Sequence, residues 1–383
     1  MPQIRTRSSA STSGRPGAEG IVTVRTRSLL DTYPGYVAGR TADAVAQNGG
    51  PTNAVKLSGN ESCFGPLPGV RAAIDSEIVL NRYPDAHASN LCRVIAARIG
   101  LDVDQIVAAS GSLPLCRSIV DAICEPGDEV MVPTVSFPAY SAAAALAGAV
   151  PVRVEMRGHE LDLVEMANRV TERTRIVFIC TPNNPTSVAV TAESLYCFLR
   201  QVPGDVLVVI DEAYREFVTD PRSADGIALL AEFSNVLVLR TFSKAYGLAG
   251  LRVGYSLSSP KVAAAIRKVT AAFSVNRLSE SGAIAALNPA CDSELERRVA
   301  HVVGERGRVT QTLRSLGHEV ADSQANFVWL PMGPAANEYA RMCEQRGVVI
   351  RPFENRGVRV TLSTVVENEV FLRVATQLAR ETR

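Results

Sequence analysis

Residues 235–252 read NVLVLRTFSKAYGLAGLR. The first six of them, residues 235–240, form a short apolar run of the length that is typical of a buried strand. Thr241 and the small and hydroxyl residues after it end that run. Lys244 follows among Ser, Ala and Gly neighbours, where a lysine contributes little to solubility. The stretch therefore predicts a buried strand that carries a lysine just beyond its carboxyl end.

The same pattern recurs upstream, where apolar strands alternate with helical segments. Residues 175–180 and 205–210 are two further buried runs, and residues 113–124 and 137–146 have helical character. Strands that alternate with helices of this length imply a mostly parallel sheet with helices on both faces. The predicted fold class is therefore α/β.

Polar side chains stand where the three strands end. Asn184 follows the first strand, Asp211 and Tyr214 follow the second, and Ser243 and Lys244 follow the third. Because ligands of such sheets bind at the carboxyl ends of the strands, we expect these side chains to face one site.

The chain is expected to have four parts. Residues 1–25 are predicted to be a disordered tail, residues 26–55 an N-terminal arm, residues 56–275 a large domain, and residues 276–383 a smaller α+β domain. The last part has predicted helices and strands at residues 279–286, 293–316, 318–321, 326–330, 347–351 and 357–362, and a closing helix from about residue 367.

Composition excludes several classes of function. Among 383 residues, 40 Lys+Arg balance 39 Asp+Glu, so we expect no nucleic-acid partner, which would need a basic stripe. The apolar stretches are too short to span a membrane. The eight cysteines form no CxxC pair, which predicts reduced thiols in a cytoplasmic protein and no metal site.

The lysine segment fits the needs of one cofactor in particular. An enzyme that uses pyridoxal phosphate needs a lysine amine, a carboxylate for the ring nitrogen and donors for the ring oxygen. It also needs a cradle for the phosphate and a cation for the carboxylate of an amino-acid substrate. Residues 240–252 offer several of these groups close together.

Residues 181–186, 209–214 and 240–254 resemble the signature blocks of fold-type I, pyridoxal-phosphate-dependent aminotransferases of class I/II. More narrowly, they are similar to the histidinol-phosphate and aromatic aminotransferase branch. The three blocks occur in the order and at the separations of the family. The resemblance, which begins near residue 29, implies a fold-type I large domain and bound pyridoxal 5'-phosphate.

The resemblance also implies roles for individual residues. Lys244 would form the Schiff base with the cofactor and transfer the proton, and Asp211 would pair with the ring nitrogen. Tyr214 and Asn184 would hydrogen-bond the ring oxygen. The phosphate would be held by Gly111, Ser112, Leu113, Thr241, Ser243 and Arg252.

Two aromatic residues complete the implied cofactor site. Phe137 corresponds to the aromatic residue that stacks on the cofactor ring. Tyr83 lies in a loop whose tyrosine reaches the phosphate of the neighbouring subunit, and this implies a homodimer. Among the implied substrate residues, Arg359 would bind the α-carboxylate, while Asn326, Asn60 and Tyr36 match positions near the substrate.

The leading hypothesis is an aminotransferase that uses an aromatic or histidinol-phosphate-like amino donor and a 2-oxo acid acceptor. Departures from the family pattern, such as Ser363 where a glycine is usual and Pro114 in the phosphate turn, support an alternative. The alternative is a repurposed enzyme of antibiotic biosynthesis that acts on a cysteine S-conjugate as a C–S lyase or decarboxylating deaminase. A dead enzyme or regulator is disfavoured because Lys244 is present, and an NAD-binding protein because no GxGxxG follows a strand.

Overall fold

The computed structural model describes residues 24–33, 35, 39–40, 47 and 51–381. It consists of two units, Met1–Gly35 and Tyr36–Arg383. The described part of the first unit contains a short helix, α1 (Leu29–Thr32). The elements named below belong to the second unit.

A seven-stranded sheet forms the centre of the second unit, in the spatial order β2-β8-β7-β6-β5-β3-β4. Its strands are β2 (Ile106–Ala109), β3 (Glu129–Pro133), β4 (Val150–Val154), β5 (Thr174–Cys180), β6 (Leu207–Asp211), β7 (Val236–Thr241) and β8 (Gly254–Ser258). Neighbouring strands are parallel except for β8, which is antiparallel to β2 and β7. The predicted α/β class with a mostly parallel sheet is confirmed.

The central strands are apolar on both sides because both faces of the sheet are covered. Along β6, Val208 and Ile210 belong to one hydrophobic cluster, while Leu207 and Val209 belong to the other. This alternation reflects the period of two in a strand. It places helices on both faces and leaves the carboxyl ends of β5, β6 and β7 as the open edge.

In the part of the chain that the structure describes, eight helices surround this sheet, and the two with predicted bounds, residues 113–124 and 137–146, begin and end within two residues of those positions. The eight helices are α2 (Val70–Ser76), α3 (Ser89–Ile99), α4 (Ser112–Ile123), α5 (Ala139–Ala147), α6 (Leu163–Asn168), α7 (Ala192–Gln201), α8 (Gly226–Leu229) and α9 (Pro260–Val269). Among the described residues, no helix has both the length and the apolar content needed to cross a membrane.

The C-terminal region combines small sheets with helices. Its elements are α10 (Arg277–Ala286), α11 (Asp292–Ser315), β9 (Phe327–Pro331), α12 (Ala336–Gln345), β10 (Val348–Val349), β11 (Arg351–Phe353), β12 (Gly357–Thr361) and α13 (Val365–Glu381). The antiparallel order β11-β12-β9 forms one sheet, and β10 pairs in parallel with β1 (Val55–Lys56). The division into a large and a small domain stays a prediction.

The sequence-based prediction was wrong at residues 318–321 and incomplete at strand β8, among other elements. Residues 318–321, predicted as a strand, are irregular: Ala321 donates a single long backbone hydrogen bond to Trp329 O, at 3.4 Å, and no ladder forms. Strand β8 was missed because its sequence, Gly-Tyr-Ser-Leu-Ser, is rich in small polar residues. Burial between β2 and β7 overrides that weak local signal.

Candidate active site

A cavity of about 450 Å³ opens at the carboxyl ends of β5, β6 and β7. Most of the residues predicted to form the site line it. They are Asn60, Ser112, Leu113, Phe137, Asn184, Asp211, Tyr214, Thr241, Ser243, Lys244, Arg252 and Arg359. Sequence positions far apart in the chain therefore meet in one place.

Four predicted residues are not among those that line the cavity. Gly111 lies just outside it, directly before helix α4. Asn326 is buried behind Asn60, whose carbonyl oxygen accepts a hydrogen bond from its amide at 3.3 Å. Tyr83 is 81% exposed on the surface. Tyr36 lies outside the described residues.

Lys244 is half-buried and lies three residues after the end of strand β7. Its Nζ donates to the backbone oxygen of Gly59 at 3.4 Å. Burial, and then the positive charge of Arg359, lowers the pKa of Lys244 to about 7. A large fraction of this amine is therefore neutral near neutral pH and can act as a nucleophile or a base.

Asp211 ends strand β6 and is buried at the base of the cavity. Its Oδ2 accepts a hydrogen bond from the Tyr140 hydroxyl at 2.6 Å, and its Oδ1 accepts from the Ala213 amide at 3.1 Å. Burial raises the pKa of Asp211 to about 6. A carboxylate held in this way favours a cationic partner inside the cavity.

Tyr140 is a residue of the site that the sequence analysis did not select. It lies on helix α5 with no exposed surface, and its ring stacks on Phe178 with centroids 4.4 Å apart. Tyr140 lies three residues after Phe137, and their rings are in contact with centroids 5.6 Å apart. This closeness in sequence to a predicted site residue was the only hint that the sequence offered. An Ala-rich helix gave no sign that one hydroxyl would reach the end of β6.

One wall of the cavity combines a helix start with a cation and hydroxyl groups. Arg252 Nη1 donates to Ser243 Oγ at 3.2 Å, and Thr241 Oγ1 lies 3.0 Å from the same oxygen. Ser112 begins helix α4, whose first backbone N–H groups have no partner within the helix. Such an arrangement suits a phosphate.

Two glycines allow the groups of this wall to lie close together. Gly111 has a φ of +101°, and a Cβ there would lie 2.5 Å from Arg252 Nη2. A Cβ on Gly254 would lie 2.7 Å from the Ser112 backbone nitrogen. The close approach of the helix start, the arginine and strand β8 therefore requires glycine at both positions.

Residues of strands β11 and β12 form another part of the cavity wall. Arg359 Nη1 donates to Asn184 Oδ1 at 2.6 Å, and Nη2 donates to Ser58 O at 2.6 Å. Arg351 and Phe353 also line the cavity, although the sequence analysis did not select them. The Phe353 ring centroid lies 5.8 Å from the Arg359 guanidinium and 6.0 Å from that of Arg351.

Comparison with known proteins agrees with this geometry. The family described as aminotransferase class I and II matches residues 52–377. An aromatic amino acid aminotransferase of Thermobifida fusca is 47% identical over 350 residues, which cover 91% of this chain and 96% of that protein. One from Streptomyces avermitilis is 44% identical over 357 residues, 93% of this chain and 98% of that protein.

Solved structures give the same result. The histidinol-phosphate aminotransferase of Sinorhizobium meliloti in complex with pyridoxal-5'-phosphate superimposes with a TM-score of 0.85 at 28% identity. The match covers 95% of this chain and 100% of that one. An aspartate aminotransferase of Thermotoga maritima, 22% identical with a TM-score of 0.79, shares the fold.

The fold and the site define a fold-type I enzyme that depends on pyridoxal phosphate. The chain belongs to the class I and II aminotransferase family and is an aminotransferase. The predicted family, fold, cofactor and reaction are confirmed. The alternative of a C–S lyase or decarboxylating deaminase is not favoured, because the similar proteins are named as aminotransferases.

The donor set of the cavity fits pyridoxal phosphate. The half-buried amine of Lys244 and the buried carboxylate of Asp211 line the cavity together with Tyr214 and Asn184, which carry donors for a ring oxygen. The part of the wall next to Gly111 and Gly254 offers a phosphate the positive charge of Arg252 and the backbone N–H groups at the start of helix α4.

Proposed function

We propose that this aminotransferase uses an aromatic L-amino acid as its amino donor and a 2-oxo acid as its acceptor. The observation that carries the proposal is the lining of one wall, where the Phe353 ring lies within 6.0 Å of the guanidinium groups of both Arg351 and Arg359. An aromatic substrate ring packs against such an apolar face, and an arginine binds a carboxylate. The names of the relatives at 42–47% identity support the same donor class.

The cofactor would be held by residues of three strand ends and one helix start. Asp211 would accept a hydrogen bond from the ring nitrogen, and Phe137 would pack on the ring. Asn184 would donate to the ring oxygen through Nδ2, because its Oδ1 already accepts from Arg359. The phosphate would contact Arg252, the hydroxyls of Thr241 and Ser243, and the backbone at Gly111, Ser112 and Leu113.

The reaction at the substrate Cα needs a base and an electron sink. Bound pyridoxal phosphate supplies the sink for the negative charge that is left when the Cα proton is removed. Lys244 is the base: its amine, with a pKa of about 7, can take that proton and return it. Asp211 keeps its negative charge close to the ring nitrogen and so favours a protonated ring.

The substrate would be oriented by the two arginines. Arg359 would bind the α-carboxylate in a bidentate manner, which an arginine does and a lysine does not. Arg351, its neighbour across the β11–β12 ladder, would bind the distal carboxylate of a dicarboxylic 2-oxo acid acceptor. Phe353 would contact the aromatic ring of the donor, so that one cavity serves both substrates in turn. Asn326 and Tyr36 stay predictions for the substrate site.

The enzyme is proposed to be a homodimer in which Tyr83 reaches the neighbouring site. Several apolar residues around Tyr83 are exposed: Ile78 by 56%, Leu80 by 81% and Phe273 by 43%. The rings of Tyr83 and Phe273 lie 5.0 Å apart. A cluster of exposed apolar side chains on one surface is typical of an interface.

A cytoplasmic location is proposed on the state of the cysteines. All eight are free thiols. Free thiols persist in reducing compartments, whereas secreted proteins tend to form disulfides.

Steady-state kinetics would test the proposed substrates. With a dicarboxylic 2-oxo acid as acceptor, kcat/KM for phenylalanine and tyrosine should exceed that for histidinol phosphate by at least about tenfold, or 1.4 kcal/mol. Phe353→Ala should reduce this preference, while Phe353→Tyr should keep it. A higher kcat/KM for histidinol phosphate, or release of thiol and pyruvate from a cysteine S-conjugate, would contradict the proposal.

A further inference from the structure

Asn60 has a backbone conformation that is uncommon for a residue with a side chain. It lies four residues after β1, is buried, and has a φ of +51°. Four hydrogen bonds hold it: its N–H donates to Thr361 Oγ1 at 2.9 Å, its carbonyl accepts from Asn326, its Oδ1 accepts from Thr361 Oγ1, and its Nδ2 donates to Tyr214 Oη. A left-handed residue fixed by so many contacts at an active site suggests a role beyond packing.

The hydrogen bonds at Thr361 determine which way the Asn60 amide points. Thr361 Oγ1 accepts from the Asn60 N–H at 2.9 Å, and its own hydroxyl donates to Asn60 Oδ1, 3.0 Å away. The oxygen end of the amide therefore faces Thr361. The nitrogen end faces the Tyr214 hydroxyl at 3.1 Å.

The amide orientation in turn determines what the Tyr214 hydroxyl can do. An amide nitrogen only donates, so Tyr214 Oη must accept the hydrogen bond from Asn60. The hydroxyl hydrogen of Tyr214 is then directed away from Asn60. Because Tyr214 lines the cavity with Lys244 and Asp211, this hydrogen is available to an acceptor in the cavity.

We propose that Asn60 and Thr361 are positioning residues that make Tyr214 a hydrogen-bond donor to the ring oxygen of pyridoxal phosphate. Thr361 lies two residues after Arg359 on β12, so both side chains are on the same face of the strand. Strand β12, which carries Arg359, thus also sets the direction of the hydrogen bond from Tyr214 to the cofactor. Asn60 acts through Tyr214 and not through a contact of its own with the substrate.

The charged groups near Tyr214 are Lys244, whose Nζ lies 5.8 Å from the tyrosine ring, together with Arg359 and Asp211; the thiol of Cys180 is also close. Neutral substitutions at Asn60 and Thr361 leave all of these groups in place. A change in the pH titration of the bound cofactor in such variants therefore reports the direction of the Tyr214 hydrogen bond.

The test is a spectrophotometric pH titration of the holoenzyme without substrate, in wild type, Thr361→Val, Thr361→Ser, Asn60→Gly and Tyr214→Phe. Glycine accepts the left-handed backbone, so Asn60→Gly removes the amide without strain. The Tyr214 hydroxyl stabilises the deprotonated form of the bound cofactor by donating to its ring oxygen. Tyr214→Phe removes this donor, so it should raise the midpoint of the cofactor's pH titration by about one to two pH units. Thr361→Val and Asn60→Gly should give part of this shift, and Thr361→Ser should give none.

A double substitution makes the result specific. In the Tyr214→Phe background, Thr361→Val should cause no additional shift, because the hydroxyl that it orients is gone. An additive shift would overturn the proposal. An unchanged midpoint in Asn60→Gly, together with a higher KM for the amino donor, would also overturn it and would assign Asn60 to direct substrate binding.

Discussion

Replacing Tyr140 by Phe tests how the carboxylate of Asp211 is controlled. The substitution removes one hydroxyl, which donates to Asp211 Oδ2 at 2.6 Å, and keeps the ring that stacks on Phe178. A hydrogen bond to a charged group contributes about 1.5–3 kcal/mol. Its loss should therefore raise the pKa of Asp211, which burial already raises to about 6, by a further ~1–2 units.

The effect on stability should depend on pH. In the cofactor-free protein, a raised pKa of Asp211 means that stability is highest when the folded carboxyl is protonated and is lost as pH rises through about 6. Tyr140→Phe extends that loss to higher pH. We expect the free energy of unfolding to fall by about 2–3 kcal/mol at pH 8 but by only about 1 kcal/mol at pH 5.

Urea unfolding of the cofactor-free variant at these two pH values measures the effect. Tyr339→Phe is a matched control, because Tyr339 is also buried but its hydroxyl hydrogen-bonds no carboxylate among the described residues. Tyr140→Phe should also weaken the affinity for pyridoxal phosphate by about tenfold or more. A loss of stability that is equal at both pH values, or equal to that of the control, would refute this account of Asp211.

Three further predictions concern other parts of the structure. Gly254→Ala places a Cβ 2.7 Å from the Ser112 nitrogen, so it should lower the free energy of unfolding by about 1–3 kcal/mol and weaken cofactor binding. Thermal unfolding with and without cofactor measures both effects. An unchanged cofactor affinity would contradict the requirement for glycine at this position. In the cofactor-free protein, an amine reagent should acylate Lys244 at a rate that rises with pH through a midpoint near 7, since only the neutral amine reacts. Peptide mapping measures this rate, and a midpoint near 10 would contradict the lowered pKa of Lys244. Leu80→Glu should convert the proposed homodimer to monomers in sedimentation experiments, because Leu80 is exposed and lies three residues before Tyr83; a variant that stays dimeric would place the interface elsewhere.

The sequence predicted the part of the site that depends on local patterns. Lys244, Asp211 and Asn184 follow apolar strands, and the carboxyl ends of parallel strands meet at one edge of a sheet. The residues that follow these strand ends, and those at the start of helix α4, therefore lie together in the cavity as expected. The reaction class followed from the resemblance of these blocks to a family.

The parts that the sequence did not predict depend on contacts between distant segments. Tyr140 reaches Asp211 from a helix whose composition shows no functional signal. Arg351 and Phe353 enter the cavity through the register of β11 against β12, which no local pattern specifies. Asn60 was expected near the substrate, and its bond to Tyr214 becomes visible only when the segment after β1 is placed beside β12.

Lys244 is proposed to carry out transamination of an aromatic amino donor in this cavity. A single-turnover reaction of the holoenzyme with phenylalanine and no acceptor tests it most directly. We expect loss of the visible absorbance of the bound cofactor with one equivalent of 2-oxo acid released per site, and no such change in Lys244→Ala. Consumption of the amino acid with release of carbon dioxide or ammonia, while the original absorbance returns, would contradict it.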